Sequence, residues 1–155
     1  MRKPMRKAAA VPEPRFLDDY LPYLMAHAAF LISGQFQNTL AAKGIRFSVW
    51  RLLATLSGTN GMTIGEIAED MLVQQPTVTR IVDRLEADGL VARQSSTGDR
   101  RQVIVVLTAR GRSTATALIK DAEQHQNEVL SGYSKAEVGL LFQVMRKVLE
   151  RGDAP

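Results

Sequence analysis

Between Gln75 and Arg101 the chain gathers side chains of the types that read and grip a nucleic-acid duplex. Gln75, Thr77, Thr79, Arg80 and Arg84 fall at spacings that place them on the polar side of one helix. Glutamine pairs in two-pronged fashion with adenine, threonine donates to a base or offers its methyl to thymine, and arginine reads guanine or holds a phosphate. Gln75, Thr77 and Arg80 are expected nearest base edges, with Arg84 toward the backbone; for Thr79 a merely solvated position competes. Further on, Arg93, Arg100 and Arg101 bracket Thr97-Gly98-Asp99, a tight-turn sequence in which Asp99 can orient an arginine by an ion pair. Arginines at such a tip reach sugar-phosphate rails or an adjacent narrow minor groove.

These residues need elements to hold them. Val78, Ile81, Val82 and Leu85 recur on the opposite side of the same stretch, predicting a helix over 75–88 with Pro76 at a permitted early position and Gly89 closing it. Thr63-Ile64-Gly65-Glu66 is a capping box, and Ile64, Ile67, Ala68 and Met71 supply the inner side of a helix over 63–71. Two short runs, 90–94 and 102–107, read as strands, the second rich in branched residues. Two successive helices followed by a charged hairpin make a winged helix-turn-helix. Its recognition helix is the second of the pair.

Long helices flank that unit. Asp18 or Asp19 is expected to cap a helix reaching Ala42, with Pro22 in its first turn, and Ser48 to cap a shorter one carrying Val49, Leu52, Leu53 and Leu56. Thr108 is expected to cap a third, reaching Leu130, and Ser134-Lys135-Ala136-Glu137 forms a second capping box before the last. The fold class expected is therefore mainly α with a small β-wing. Residues 1–15 read as a flexible basic arm, 16–45 and 109–150 as a helical dimerisation region, and 46–108 as the winged DNA-binding region. The apolar stripes of the outer helices need a covering surface, and a two-fold pairing with a second copy supplies one. A homodimer would address a pseudo-palindromic operator whose half-site centres lie about 34 Å apart or a multiple of it.

Composition narrows the alternatives. Cysteine is absent, which removes disulfides, thiolate nucleophiles and thiol redox switching together. His27 and His125 are the two imidazoles, no phosphate-binding glycine loop is present, and neither an enzyme nor a cofactor or metal is expected. No apolar run suits a membrane span, and the basic start lacks a signal peptide's apolar segment, so a cytoplasmic location is expected. The net charge is +4, and Arg2, Lys3, Arg6, Lys7 and Arg15 against Glu13 account for it. Local arrangement, not overall charge, has to carry any argument for DNA.

The chain resembles the MarR family of bacterial transcriptional regulators in 48–53 (Ser-Val-Trp-Arg-Leu-Leu), 63–68 (Thr-Ile-Gly-Glu-Ile-Ala), 77–86 (Thr-Val-Thr-Arg-Ile-Val-Asp-Arg-Leu-Glu), and Asp99-Arg100-Arg101 followed by Leu107-Thr108. The resemblance covers about 20–149. It implies a homodimer joined through the first and last two helices, with Thr77, Thr79 and Arg80 on the recognition helix, Arg84 at the backbone, and Asp99 with Arg101 as the wing signature. Gln74-Gln75-Pro76 departs from the serine-containing start common in relatives, so a different base pattern is expected. The resemblance further implies a repressor released by a small aromatic or phenolic acid, with Tyr20, Tyr23, His27, Phe47, Trp50 and Arg51 as pocket residues. His27 or Arg51 would meet the carboxylate, although Trp50 suits a core position better. A ligand-independent regulator and a winged-helix protein-interaction module are the alternatives.

Overall fold

The computed structural model describes residues 15–95 and 102–152. The amino-terminal basic arm up to Pro14, and the wing-tip residues Asp99, Arg100 and Arg101, therefore lie outside the described residues. Eight elements follow in order: α1 (Leu21–Ala42), α2 (Phe47–Leu56), α3 (Ile64–Asp70), α4 (Gln75–Ala87), β1 (Val91–Ser95), β2 (Val103–Leu107), α5 (Ala109–Leu130) and α6 (Lys135–Gly152). The chain divides into two compact units, the first ending at Gln35 and the second beginning at Phe36. Among the described residues no helix is long and apolar enough to cross a membrane.

In the first unit the expected cap is not the one used. Asp18 closes a separate 3-10 turn, Phe16–Asp18: its carboxylate accepts the Arg15 backbone N–H at 3.1 Å and pairs with the Arg15 guanidinium at 3.2 Å. With its carboxylate spent there, Asp18 is not the cap of α1, and Asp19 ends the 3-10 turn instead. α1 begins at Leu21, with Pro22 in the first turn, where a missing N–H leaves no helical bond unmade.

In the second unit a core forms around α2, α3, α4 and the hairpin. Leu52, Leu53, Ile67, Val78, Val82 and Val105 are fully shielded from solvent, and Phe36, Leu40, Ala115 and Leu118 join them, so the core reaches beyond 46–108. Burying aliphatic chains of this size contributes about 1.5–3 kcal/mol each. α2 starts one residue before the expected cap: Arg46 precedes it without a side-chain cap bond, and Ser48 lies inside the helix. Packing of Phe47, Val49 and Trp50 against the core, rather than a hydroxyl, fixes that start. The other caps form as read. The Thr63 hydroxyl accepts the Glu66 N–H at 3.2 Å while Glu66 accepts the Thr63 N–H at 2.7 Å. The Thr108 hydroxyl accepts the Gly111 N–H at 3.0 Å, and Ser134 with Glu137 repeats the capping box before α6.

β1 and β2 pair antiparallel, with Val91 opposite Leu107, Arg93 opposite Val105, and Gln94 opposite Ile104. Met62 bridges to Val105, which fastens the chain just before α3 to the hairpin. α5 enters tightly beneath the hairpin's start. A Cβ on Gly111 would lie 1.8 Å from the Leu90 carbonyl oxygen, so only glycine fits there.

Candidate nucleic-acid interface

α4 is divided as its sequence requires. Val78, Val82 and Leu85 are buried and Ile81 is half-buried, which turns Gln75, Thr77, Arg80 and Arg84 outward and leaves Thr79 half-buried. Local bonds hold several of these side chains along the helix. The Thr79 hydroxyl donates to the Gln75 carbonyl at 3.0 Å, and Arg80 Nε donates to the Pro76 carbonyl at 3.3 Å. Arg84 faces Asp88 at 3.9 Å, a loose exposed pair that leaves its charge available. The Gln75 amide nitrogen lies 3.5 Å from where a Cβ on Gly65 would stand, so this side chain lies back over the start of α3.

The amino-terminal end of α2 meets this face. A cleft of about 220 Å³ is lined by Arg46, Ser48, Thr77, Arg80 and Arg84 among others. Three guanidinium-bearing residues and two hydroxyls around one concavity, with no carboxylate in its lining, favour an anion. The sequence reading passed over Arg46 because it took Ser48 as the helix start. A basic residue two positions before that serine was the available signal.

Arg93 is placed differently from the expectation that groups it with DNA contacts. Its guanidinium bonds Asp83 at 2.5 Å and also bonds Glu86, while its backbone N–H donates to Glu86 at 3.0 Å. The Asp83 bond chiefly, with Glu86 behind it, raises the Arg93 pKa above its ordinary value. Asp83 and Glu86 thus tie β1 to α4. Arg93 thereby fixes where the hairpin stands relative to α4.

The turn into α4 contains Leu72 at φ 51°, a left-handed conformation unfavourable for a branched side chain, and 88% of Leu72 is exposed. It follows directly on Met71, whose carbonyl accepts a bond from the Arg51 guanidinium. Arg51 therefore links α2 to the end of α3.

The residues expected around a small acid fall into both units. In the first, Tyr20 and His27 are exposed and Tyr23 is half-buried, and the Tyr23 hydroxyl lies 3.2 Å from His27 Nδ1 with the rings edge-on. In the second, Phe47 and Trp50 pack against the core, and Trp50 meets the Phe36 ring edge-on at 5.3 Å. The His125 ring lies 5.3 Å from the Phe36 ring, centre to centre, and tilted to it. Its Nε2 is, among the described residues, the one buried side-chain polar atom without a hydrogen-bond partner. Phe36 and His125 are far apart in the chain, so this pairing has no local signal.

The MarR family model matches residues 48–103, which run from α2 to the first residue of β2. The transcriptional activatory protein BadR of Rhodopseudomonas palustris is 30% identical over 73% of this chain and 67% of its own. The crystal structure of the MarR family regulator SPO1453 from Silicibacter pomeroyi superposes with a TM-score of 0.80 at 35% identity, covering 90% of this chain and all of that one. The chain belongs to the MarR family. It is a DNA-binding transcriptional regulator of MarR type, and its relatives are regulators rather than enzymes. A second solved structure, BpsR of Bordetella bronchiseptica, whose DNA binding is regulated by 6-hydroxynicotinic acid, is 25% identical with a TM-score of 0.75 over 92% of this chain and 99% of that one. For BadR and two further curated regulators the matched stretch is 67%, 57% and 62% of the relative's own length. Within the MarR frame, the β1–β2 hairpin is the wing.

Proposed function

We propose that this MarR-type regulator is a homodimeric repressor that places the α4 helices of two copies in successive major grooves and releases DNA when a small aromatic or phenolic acid binds. The observation that carries the reading is the division of α4, with Val78, Val82 and Leu85 inside and Gln75, Thr77 and Arg80 outside. Gln75, Thr77 and Arg80 meet base edges, with Thr79 beside them. Arg84 and Arg46 hold a phosphate in the cleft they share with Ser48. Arg93 sets the wing, and Arg100 and Arg101, oriented by Asp99, grip the neighbouring backbone or minor groove. Each phosphate so held releases cations, so affinity falls as salt rises.

Phe47, Trp50 and Arg51 of the second unit take up the acid, and the regulation of BpsR by 6-hydroxynicotinic acid supports that ligand class. Arg51 supplies a route for coupling. A carboxylate that draws its guanidinium from the Met71 carbonyl leaves the end of α3 without that donor, directly before the strained Leu72 turn into α4. Such a ligand acts only if it binds the DNA-incompetent arrangement more tightly than the competent one. A ligand-independent regulator is the second reading, favoured by the engagement of Arg51 with Met71 and of Trp50 with the core.

Selection of bound sequences from random duplex DNA tests the assignment of reading and anchoring roles. Arg80→Ala is expected to erase base preference at one position of each half-site. Arg84→Ala is expected to weaken binding to all sequences and reduce the salt slope by about one. Unchanged preference and unchanged slope would overturn the assignment.

A further inference from the structure

The wing has two faces, and the DNA-reading account uses one. Side chains alternate along a strand, so Val91 and Arg93 turn toward the core and α4 while Ala92 and Gln94 turn the other way. Their register partners on β2 are Val106 and Ile104, which therefore share that second face. Gly61 is pressed onto it: a Cβ there would stand 2.7 Å from Val106 and 2.8 Å from Ile104. The α2–α3 loop, the outer face of the wing and the first turns of α5 thus meet around one concavity.

That concavity is a cleft of about 520 Å³, the size of a small-molecule site. Leu56, Ala92 and Val106 give it an apolar floor, and Ser57, Asn60 and Gln94 bring a hydroxyl and two amides to its lining. Its one charged lining residue is Arg112, and no carboxylate lines it. Arg112 Nη1 donates to the Leu107 carbonyl at 2.8 Å, which anchors the guanidinium by one edge and leaves the other donors of the fork for a ligand. A fork fixed at one side beside an apolar floor suits a carboxylate attached to a flat apolar body, because the fork pairs both oxygens while the floor covers the rest.

We propose that this cleft is a binding site for a small monocarboxylic acid, held through Arg112, on the side of the wing away from α4. It is separate from the aromatic residues assigned above to the effector. A bound acid ties together the α2–α3 loop, both strands and α5, so it stabilises the folded winged unit by mass action.

Titration of the whole chain with benzoate, followed by calorimetry and by the melting temperature, tests the site without DNA. Benzoate is expected to bind and raise the melting temperature, and benzamide, which lacks the charge, to bind about tenfold more weakly or worse. Arg112→Gln is expected to weaken benzoate by a similar factor. Ala92→Phe fills the cleft while leaving the Arg112–Leu107 bond in place, and is expected to do the same without loss of the folded state. On an Arg51→Gln background, which removes the effector contact, benzoate binding that persists in either variant overturns the proposal, as does an absence of binding up to about 10 mM, where a millimolar affinity would register. Loss confined to Arg51→Gln would also overturn it, because that result assigns the acid to the aromatic residues instead.

Discussion

The winged unit and the outer helices solve the burial problem in opposite ways. Around α2, α3 and α4 the large aliphatic side chains are almost completely shielded within a single copy. In α6, by contrast, none of the described side chains is buried, and Leu140, Leu141, Val144, Val148 and Leu149 all stand open. The front of α1 is similar, with Leu21, Leu24, Phe30 and Leu31 exposed. A contiguous apolar stripe of this kind is rarely left to water. The winged unit thus completes its own core, whereas the outer helices present apolar stripes that one copy does not cover. A second copy is the surface we propose.

Substitutions that separate these regions sharpen the contrast. The largest effect is expected at Gly111, where alanine would drive a methyl into the Leu90 carbonyl oxygen. Gly111→Ala should cost about 3 kcal/mol or more in denaturant unfolding, because the clash is with backbone. A cost below the scatter of surface substitutions would show that α5 does not dock as described. A smaller effect on the fold, and a larger one on association, is expected from Leu141→Asp combined with Leu149→Asp. Both side chains are exposed in one copy, so the winged unit should stay folded while self-association weakens at least about tenfold in sedimentation. Unaltered sedimentation would break the comparison, since α6 would then have no partner to lose.

The smallest effect concerns acid. The Thr63 backbone N–H, with the Thr63 hydroxyl, holds the exposed Glu66 carboxyl below its ordinary value of 4.5. Ser134 does the same for Glu137 at the start of α6. A carboxyl depressed in the folded state contributes stability above its unfolded value, and that contribution is lost as pH falls through the folded one. Melting temperatures measured downward from pH 5 should therefore fall less steeply in Glu66→Gln than in the unsubstituted chain. Equal slopes would mean that the capping box adds nothing in solution.

Local patterns were legible in the sequence and long-range ones were not. The capping boxes, the inner stripe of α4 and the hairpin are written in residues a few positions apart, and Thr63, Glu66, Val78 and Val82 take the places read for them. The cap of α2 was misread because a serine near a helix start carries a strong local signal, while the burial of Phe47 and Trp50 that fixes the start is tertiary. By sequence Arg93 is grouped with the wing's DNA contacts, and its carboxylate partners, ten and seven positions back on another element, are not visible locally. The need for glycine at 111 comes from the Leu90 carbonyl, twenty-one positions back in the chain, and so has no local signal. The aromatic grouping of Phe36, Trp50 and His125 has the same character.

The account rests on two copies presenting their α4 faces to grooves in fixed phase. The direct measurement takes a duplex selected by the protein, inserts about five base pairs between its half-sites, and compares affinities by fluorescence anisotropy. Half a helical turn swings one half-site to the far side of the duplex. The account predicts that affinity falls to about that of non-specific DNA, roughly a thousandfold loss or more. Undiminished affinity for the lengthened duplex would contradict it.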